Sequence, residues 1–331
     1  MLGSALSFSP ARAETALFPA SQEGQWGFVD ARGRWVIAPQ YQAAGKFVNG
    51  LARAQSLGKW GYLTPSGRWA VKPWFYQATD FSEGFAAVMN PPAGRWGFID
   101  EKGRFKLPPA YEQAFPFSDG VAKVCEDGAW FYVSPLGARV MISPEGTEDA
   151  FHEGLIAFRD DKSFWGYQDH EGKTVIAPQF QWAGSFSESL AAVQRDNQWG
   201  YVDKTGQLRI LPRFESARAF REGLASVQLK DLWGVVSPNG KWAIEPAFER
   251  IGDFSGGLAA ARQNNRWGYI DRSGRWVISP QYAMAWNFEN GLALAQTQQG
   301  GFVYLNARGK TVWPVVNNPH PAQGAASRVE R

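Results

Sequence analysis

The sequence predicts an all-β tandem repeat, and three observations carry that expectation. A Trp-Gly pair or a close variant recurs at a near-constant interval. A four-residue turn ending in glycine follows each copy. Aromatic, glycine and proline contents are all high: 16 Trp, 23 Phe, 10 Tyr, 36 Gly and 20 Pro in 331 residues. Such a composition favours many short strands joined by tight turns over long helices.

Internal repeats set the organisation of a chain before any local element does. Trp-Gly or its variant begins at Trp26, Trp60, Trp96, Trp130, Trp165, Trp199, Trp233 and Trp267, at intervals of 34, 36, 34, 35, 34, 34 and 34 residues. A ninth, worn copy stands at Gly300-Gly301-Phe302. An aromatic follows Trp-Gly in most copies, as in Phe28, Tyr62, Tyr201 and Tyr269. The turn comes next. Its last place is glycine in every copy (Gly33, Gly67, Gly103, Gly137, Gly172, Gly206, Gly240, Gly274 and Gly309). Its first place is Asp or Asn in six copies: Asp30, Asp100, Asp169, Asp203, Asp271 and Asn306. These are type I turn preferences. The other three copies have Thr64, Ser134 and Ser237, and these alone are followed by proline (Pro65, Pro135, Pro238), which presets the next φ and offsets the weaker side-chain lock.

A second strand such as Arg34-Trp35-Val36-Ile37 leaves the turn and is expected to stop at a proline (Pro39, Pro73, Pro109, Pro178, Pro212, Pro246, Pro280). Apolar spacing then changes to three, as in Tyr41, Ala44 and Phe47, which predicts one turn of α- or 3₁₀-helix before a Gly-Leu-Ala strand leads into the next copy. The expected unit is three strands and one helical turn, with residues 14–313 forming eight complete units and one partial. Both hairpin faces carry apolar residues, so a unit must bury itself against its neighbours. The repeated tryptophans are core on this view; burying one removes roughly 200 Å² from water, about 5 kcal/mol as an upper bound. The glycine after each Trp leaves room for a close-lying backbone or ring.

Copies such as Trp267 to Tyr282 resemble the WG-repeat family, bacterial proteins of Trp-Gly-aromatic-Ile/Val-Asp-x-x-Gly-Lys/Arg units ending in Ile-x-Pro-x-Phe/Tyr. The resemblance runs from Leu17 to Trp313 and implies a structural repeat with no catalytic residues to carry over. The fourth copy departs, with Phe131 for Gly and its proline moved to Pro144. The expected architecture is an open stacked solenoid, with a closed propeller-like ring as the alternative, because the first and last units begin and end in the same strand phase and offer no evident clasp.

The net charge of +3 is too small for a nucleic-acid footprint. One cysteine, Cys125, excludes an internal disulfide and a cysteine zinc site. No apolar run approaches the roughly 20 residues that span a bilayer. His152, His170 and His320 are scattered, no catalytic or phosphate-binding motif occurs, and no cofactor or metal is expected. Residues 1–13 look like the tail of a signal peptide, with Ala11-Arg12-Ala13 as its cleavage site, which places the protein in the periplasm or outside the cell, with the cytoplasm as the alternative. Residues 314–331 are polar and expected to be disordered. The expected function is a non-enzymatic scaffold for a protein partner; the alternative is binding of cell-envelope polysaccharide through exposed Trp.

Two periodic features are candidate partner-binding residues. The position after the turn glycine is basic in seven copies (Arg34, Arg68, Arg104, Lys173, Lys241, Arg275 and Lys310), forming a row of cations, while acids stand near the other end of the unit (Glu83, Asp119, Glu153, Glu188, Glu222). Beside the cations lie Trp35, Trp69, Trp242 and Trp276, with Trp74, Trp182 and Trp286 as further tryptophans outside the repeat core. Edge protection and packing between units compete with partner binding for both sets.

Overall fold

The computed structural model describes residues 16–142 and 150–315, so the expected signal peptide tail, the C-terminal segment from 316 and Pro144 lie outside the described residues. Within them the chain forms nine antiparallel sheets in sequence order, here called blades 1 to 9. Blade 2 shows the complete pattern: strands Ala43–Val48, Leu51–Ser56, Lys59–Leu63 and Trp69–Phe75, each paired with the next. Blade 1 has three strands, β1 (Leu17–Gln22), β2 (Gln25–Asp30) and β3 (Trp35–Tyr41), which match the second to fourth strands of blade 2. Blade 5 also has three.

Two local expectations need correction. The segment predicted as a helical turn is the first strand of the next blade. It spans Gln77–Ala78 in blade 3, followed by a bend and the Ser82↔Phe85 bridge. Small residues at Ala44 and Ala78 and a Phe three places on give helix-like spacing in what is a bent strand. The proline does not end the fourth strand either: Pro39 and Pro73 lie inside it. This strand is the edge of its sheet, where a missing N–H is tolerated.

The turns form as expected. The turn glycine donates its N–H to the residue three places before it in all nine copies, at 2.8–3.0 Å. The Trp-Gly glycine marks a backbone crossing. A Cβ on Gly27 would meet the carbonyl oxygen of Ile37 and lie 2.8 Å from the nitrogen of Pro39. The fourth strand bulges here, since Trp26 pairs with Tyr41 but Phe28 with Ile37. Blade 4 explains its own exception. Phe131 pairs with Ile142 and Tyr132 with Met141 without a skip, so among the described residues no backbone crosses above Phe131, and its ring is buried.

The interior lies between blades, as the two-faced apolar pattern requires. Leu17, Phe28 and Ile37 of blade 1 pack on Ala44, Ala52 and Leu63 of blade 2, and an equivalent cluster fills each following interface. The last cluster overturns the open solenoid. It joins Leu292, Leu294 and Tyr304 of blade 9 to Phe18, Ala20 and Val29 of blade 1. Trp35 meets Trp313 edge to face at 4.9 Å. At seven of the eight interior interfaces the turn glycine lies against an Ile, Val or Leu side chain of the preceding blade's fourth strand, as Gly67 does against Ile37; at the seam Gly33 of blade 1 lies against the backbone carbonyl and side chain of Val312 in blade 9. The array is therefore a closed nine-bladed ring, a β-propeller. No clasp is needed because a buried apolar cluster shared by blades 9 and 1 closes the seam.

Candidate functional site

The cations are exposed, yet several are already engaged. Arg34 lies 2.7 Å from Asp30, Arg104 2.7 Å from Asp100 and Arg275 3.3 Å from Asp271, each pair within one turn. The same aspartates accept backbone N–H groups two and four residues on. Hydrogen bonds from the Arg104 guanidinium to Asp100, and from the Ser273 hydroxyl to Asp271, hold both carboxyls at about 2, below the ordinary 3.8. A carboxylate depressed in the folded state contributes stability that is complete above the unfolded value and is lost as pH falls through the folded one. Thermal unfolding between pH 4 and pH 2 should show this loss, and the double variant D100N/D271N should flatten that part of the curve. An unaltered slope would show that the turns do not hold their carboxylates in this way.

The acids at the other end of the unit do not face the cation row. Glu83 accepts the N–H of Gly120, Asp119 that of Gly154, Glu153 that of Ser189, Glu188 that of Gly223, and Glu222 those of Gly256 and Gly257. Each acid thus ties its blade to the next. Serine and tyrosine hydroxyls do the same. Ser82 donates to the Phe117 carbonyl, Ser118 to Phe151, Ser187 to Phe220 and Ser255 to Phe288, at 2.6–2.7 Å. Tyr62, Tyr167 and Tyr201 reach carbonyls of the next blade's first strand at 2.7 Å, and Tyr269 at 2.8 Å.

The tryptophans beside the cations are half-buried and pack between blades. Trp69 meets Tyr41, Trp242 meets Phe214 and Trp276 meets Phe248, edge to face at 5.5–5.8 Å. They form no exposed row. Of the three further tryptophans, Trp74 is 60% exposed and Trp182 42%, while Trp286 is half-buried. The repeated set divides as well: Trp26 and Trp233 are buried, the others half-buried at cluster margins. His170 stacks on Phe151 at 4.3 Å, which makes it a packing residue rather than a solvated imidazole.

What the structure brings together is a cleft of about 680 Å³ across blades 5 to 7. Trp182 and Trp199 line it, with Ser216, Gln194, His152 and Arg221 as polar neighbours. Trp165 supports Trp182 at 5.2 Å. Ser185 and Ala219 of blades 6 and 7 line the cleft at the position where blades 2, 3, 8 and 9 carry the larger Lys46, Asp80, Asp253 and Asn287, and blades 4 and 5 carry Pro116 and Ala150. Sequence reasoning singled out Trp182 but missed the cleft. The available signal was the run of small residues Ala150, Ser185 and Ala219 in three consecutive copies at that position.

The geometry can be set beside known proteins. A family described as "WG containing repeat" matches residues 26–60, 60–90, 96–130, 165–199, 199–233, 233–267 and 267–301, well over half of the chain. The chain belongs to the WG containing repeat family. The fourth copy, whose Phe131 replaces the glycine, falls between matched stretches, and no curated protein matches the sequence. Among solved structures, the WG-repeat chain is similar to one titled as the eukaryotic initiation factor: TM-score 0.62, 11% identity, covering 92% of this chain and 96% of that one. The computationally designed Ika8 protein gives 0.46 at 12% identity, over 80% and 96%. BamB from Moraxella catarrhalis gives 0.41 at 12%, over 90% and 96%. At such identity the likeness to the first concerns the fold alone. Among the described residues no helix of the WG-repeat ring is long and apolar enough to cross a membrane, and no group of three or more His, Cys, Asp and Glu is placed to hold a metal.

Proposed function

We propose that this WG-repeat propeller is a non-enzymatic scaffold that binds a protein partner at the cleft of blades 5 to 7, in the cell envelope or outside the cell. One observation carries this reading: the groups that could do chemistry are spent on building the ring, while the cleft keeps its indoles and polar groups at the surface. Turn aspartates hold turns, and the acids and the serine and tyrosine hydroxyls tie neighbouring blades. Aromatic rings bordered by polar groups suit a protein contact, where they supply apolar area together with orienting hydrogen bonds.

The experiment compares partners recovered from an envelope fraction by the wild-type chain, by W182A, by A219W and by R34E/R68E/R275E. The cleft variants are expected to lose the specific partner and the triple variant to keep it. Loss on the triple variant alone would move the site to the cation row. Retention by all variants would remove the cleft.

Polysaccharide binding stands as a second reading, because Trp182 presents a partly exposed ring among hydroxyl- and amide-bearing neighbours. Titration with envelope glycans should then change indole fluorescence in the wild type but not in W182A. No change with any glycan refutes it.

A further inference from the structure

Blade 1 lacks, among the described residues, the first strand of the complete blades, so β1 forms the edge of its sheet. Beside it lies a cavity of about 280 Å³, bounded by Phe18 and Pro19 of β1, by Trp286 and Asn287 of blade 9 and by Phe47 of blade 2. Lys46 of blade 2 and Glu289 of blade 9 meet past blade 1 at 3.1 Å.

The other interfaces state what this space is shaped for. In seven of them a phenylalanine of the first strand packs on a Phe or Tyr in the third strand of the preceding blade, at 4.7–5.1 Å: Phe47 on Phe28, Phe81 on Tyr62, Phe117 on Phe98, and so through Phe288 on Tyr269. Where that residue is Tyr62, Tyr167, Tyr201 or Tyr269, its hydroxyl also bonds a first-strand carbonyl at 2.7–2.8 Å. At the seam the equivalent residue is Tyr304. It is buried, its ring has only Phe18 at 5.7 Å, and its hydroxyl reaches the Pro19 carbonyl at 3.3 Å. That is long for an O–H···O bond. A phenylalanine and a strand carbonyl are the two groups this place lacks. The interface phenylalanine stands four residues before Leu51, Phe85, Val121, Leu190 and Leu258, whereas four before Leu17 is Ala13.

We propose that the seam slot takes an extended segment of a partner protein, of pattern Ala-x-x-Phe, as the missing first strand of blade 1. Ala44-x-x-Phe47, Ala78-x-x-Phe81 and Ala183-x-x-Phe186 are the internal versions of that segment. Main-chain pairing to the edge of β1 supplies affinity, and the phenylalanine pocket supplies specificity. The proposal rests on the scaffold function and names the chemistry of a partner at a second place on the ring.

The probe is a synthetic peptide, Gln-Ala-Thr-Asp-Phe-Ser-Glu-Gly, that copies residues 77–84. It is titrated calorimetrically into the full-length chain beside a control with Ala for Phe. Saturable one-to-one binding is expected, with the control weaker by at least about tenfold. Tyr304→Phe keeps the ring, loses the hydroxyl, and should weaken binding about fivefold. Failure of the peptide to bind, equal binding of the control, or an unchanged affinity in Tyr304→Phe overturns the proposal. So does binding that appears only in a full-length Phe8→Ala variant, which would mean that the chain's own Ala5-x-x-Phe8 fills the slot. A partner lost on W182A without peptide binding at the seam would refute this site and leave the scaffold standing; peptide binding with no loss on W182A would do the reverse for the cleft.

Discussion

Replacing Phe18 with alanine is expected to destabilise the whole chain by roughly 3–4 kcal/mol. Phe18 is nearly fully buried in the cluster shared by blades 9 and 1, beside Tyr304, Leu292 and Leu294. In an open stack this residue would lie on the outer face of a terminal unit, where truncation costs little. In a ring it lies in a buried apolar cluster shared by two blades, as Phe98 does. Urea unfolding of F18A and of F98A, its control in the interface of blades 3 and 4, tests this. Closure requires similar losses from both variants; a loss confined to F98A would reopen the ring.

The second large effect concerns the Trp-Gly glycine. Gly268→Val should cost roughly 3 kcal/mol, because overpacking against backbone has no flexible neighbour to relieve it. A Cβ there would press on the Ile278 carbonyl and lie 2.8 Å from the nitrogen of Pro280. The consensus residue should itself be harmful in blade 4. Phe131→Gly removes a buried ring that packs with Tyr111 and lies under the Arg139 guanidinium at 3.9 Å. A loss of about 3–4 kcal/mol is expected. Equal tolerance of both substitutions in thermal melts would show that the backbone crossing does not set this position.

These cases show where sequence reasoning reached and where it stopped. Asp30 and Gly33, or Thr64, Pro65 and Gly67, specify a turn within five residues, and every such turn formed. The bent first strand was mistaken for a helical turn because Tyr41, Ala44 and Phe47 share a three-residue spacing whose cause is the alignment of Phe47 with Phe28 in another blade. The cation row was visible as a pattern, but three of its seven side chains, Arg34, Arg104 and Arg275, spend their charge on their own turns. The cleft was hidden because its lining comes from residues far apart in sequence, from His152 to Arg221, which only the packing of blades 5 to 7 brings together.

By itself the sequence determined the all-β class, the turns, the period, the family and the fact that the interior lies between units, since all of these depend on neighbours within one repeat; the bent first strand of each blade it did not. Whether the array closes was decided by the tertiary structure alone. Closure depends on the small rotation between successive blades, added over nine interfaces, and no single repeat encodes that sum. The same addition brings Phe18 against Tyr304, residues 286 positions apart, and so decides which surfaces are buried in the seam.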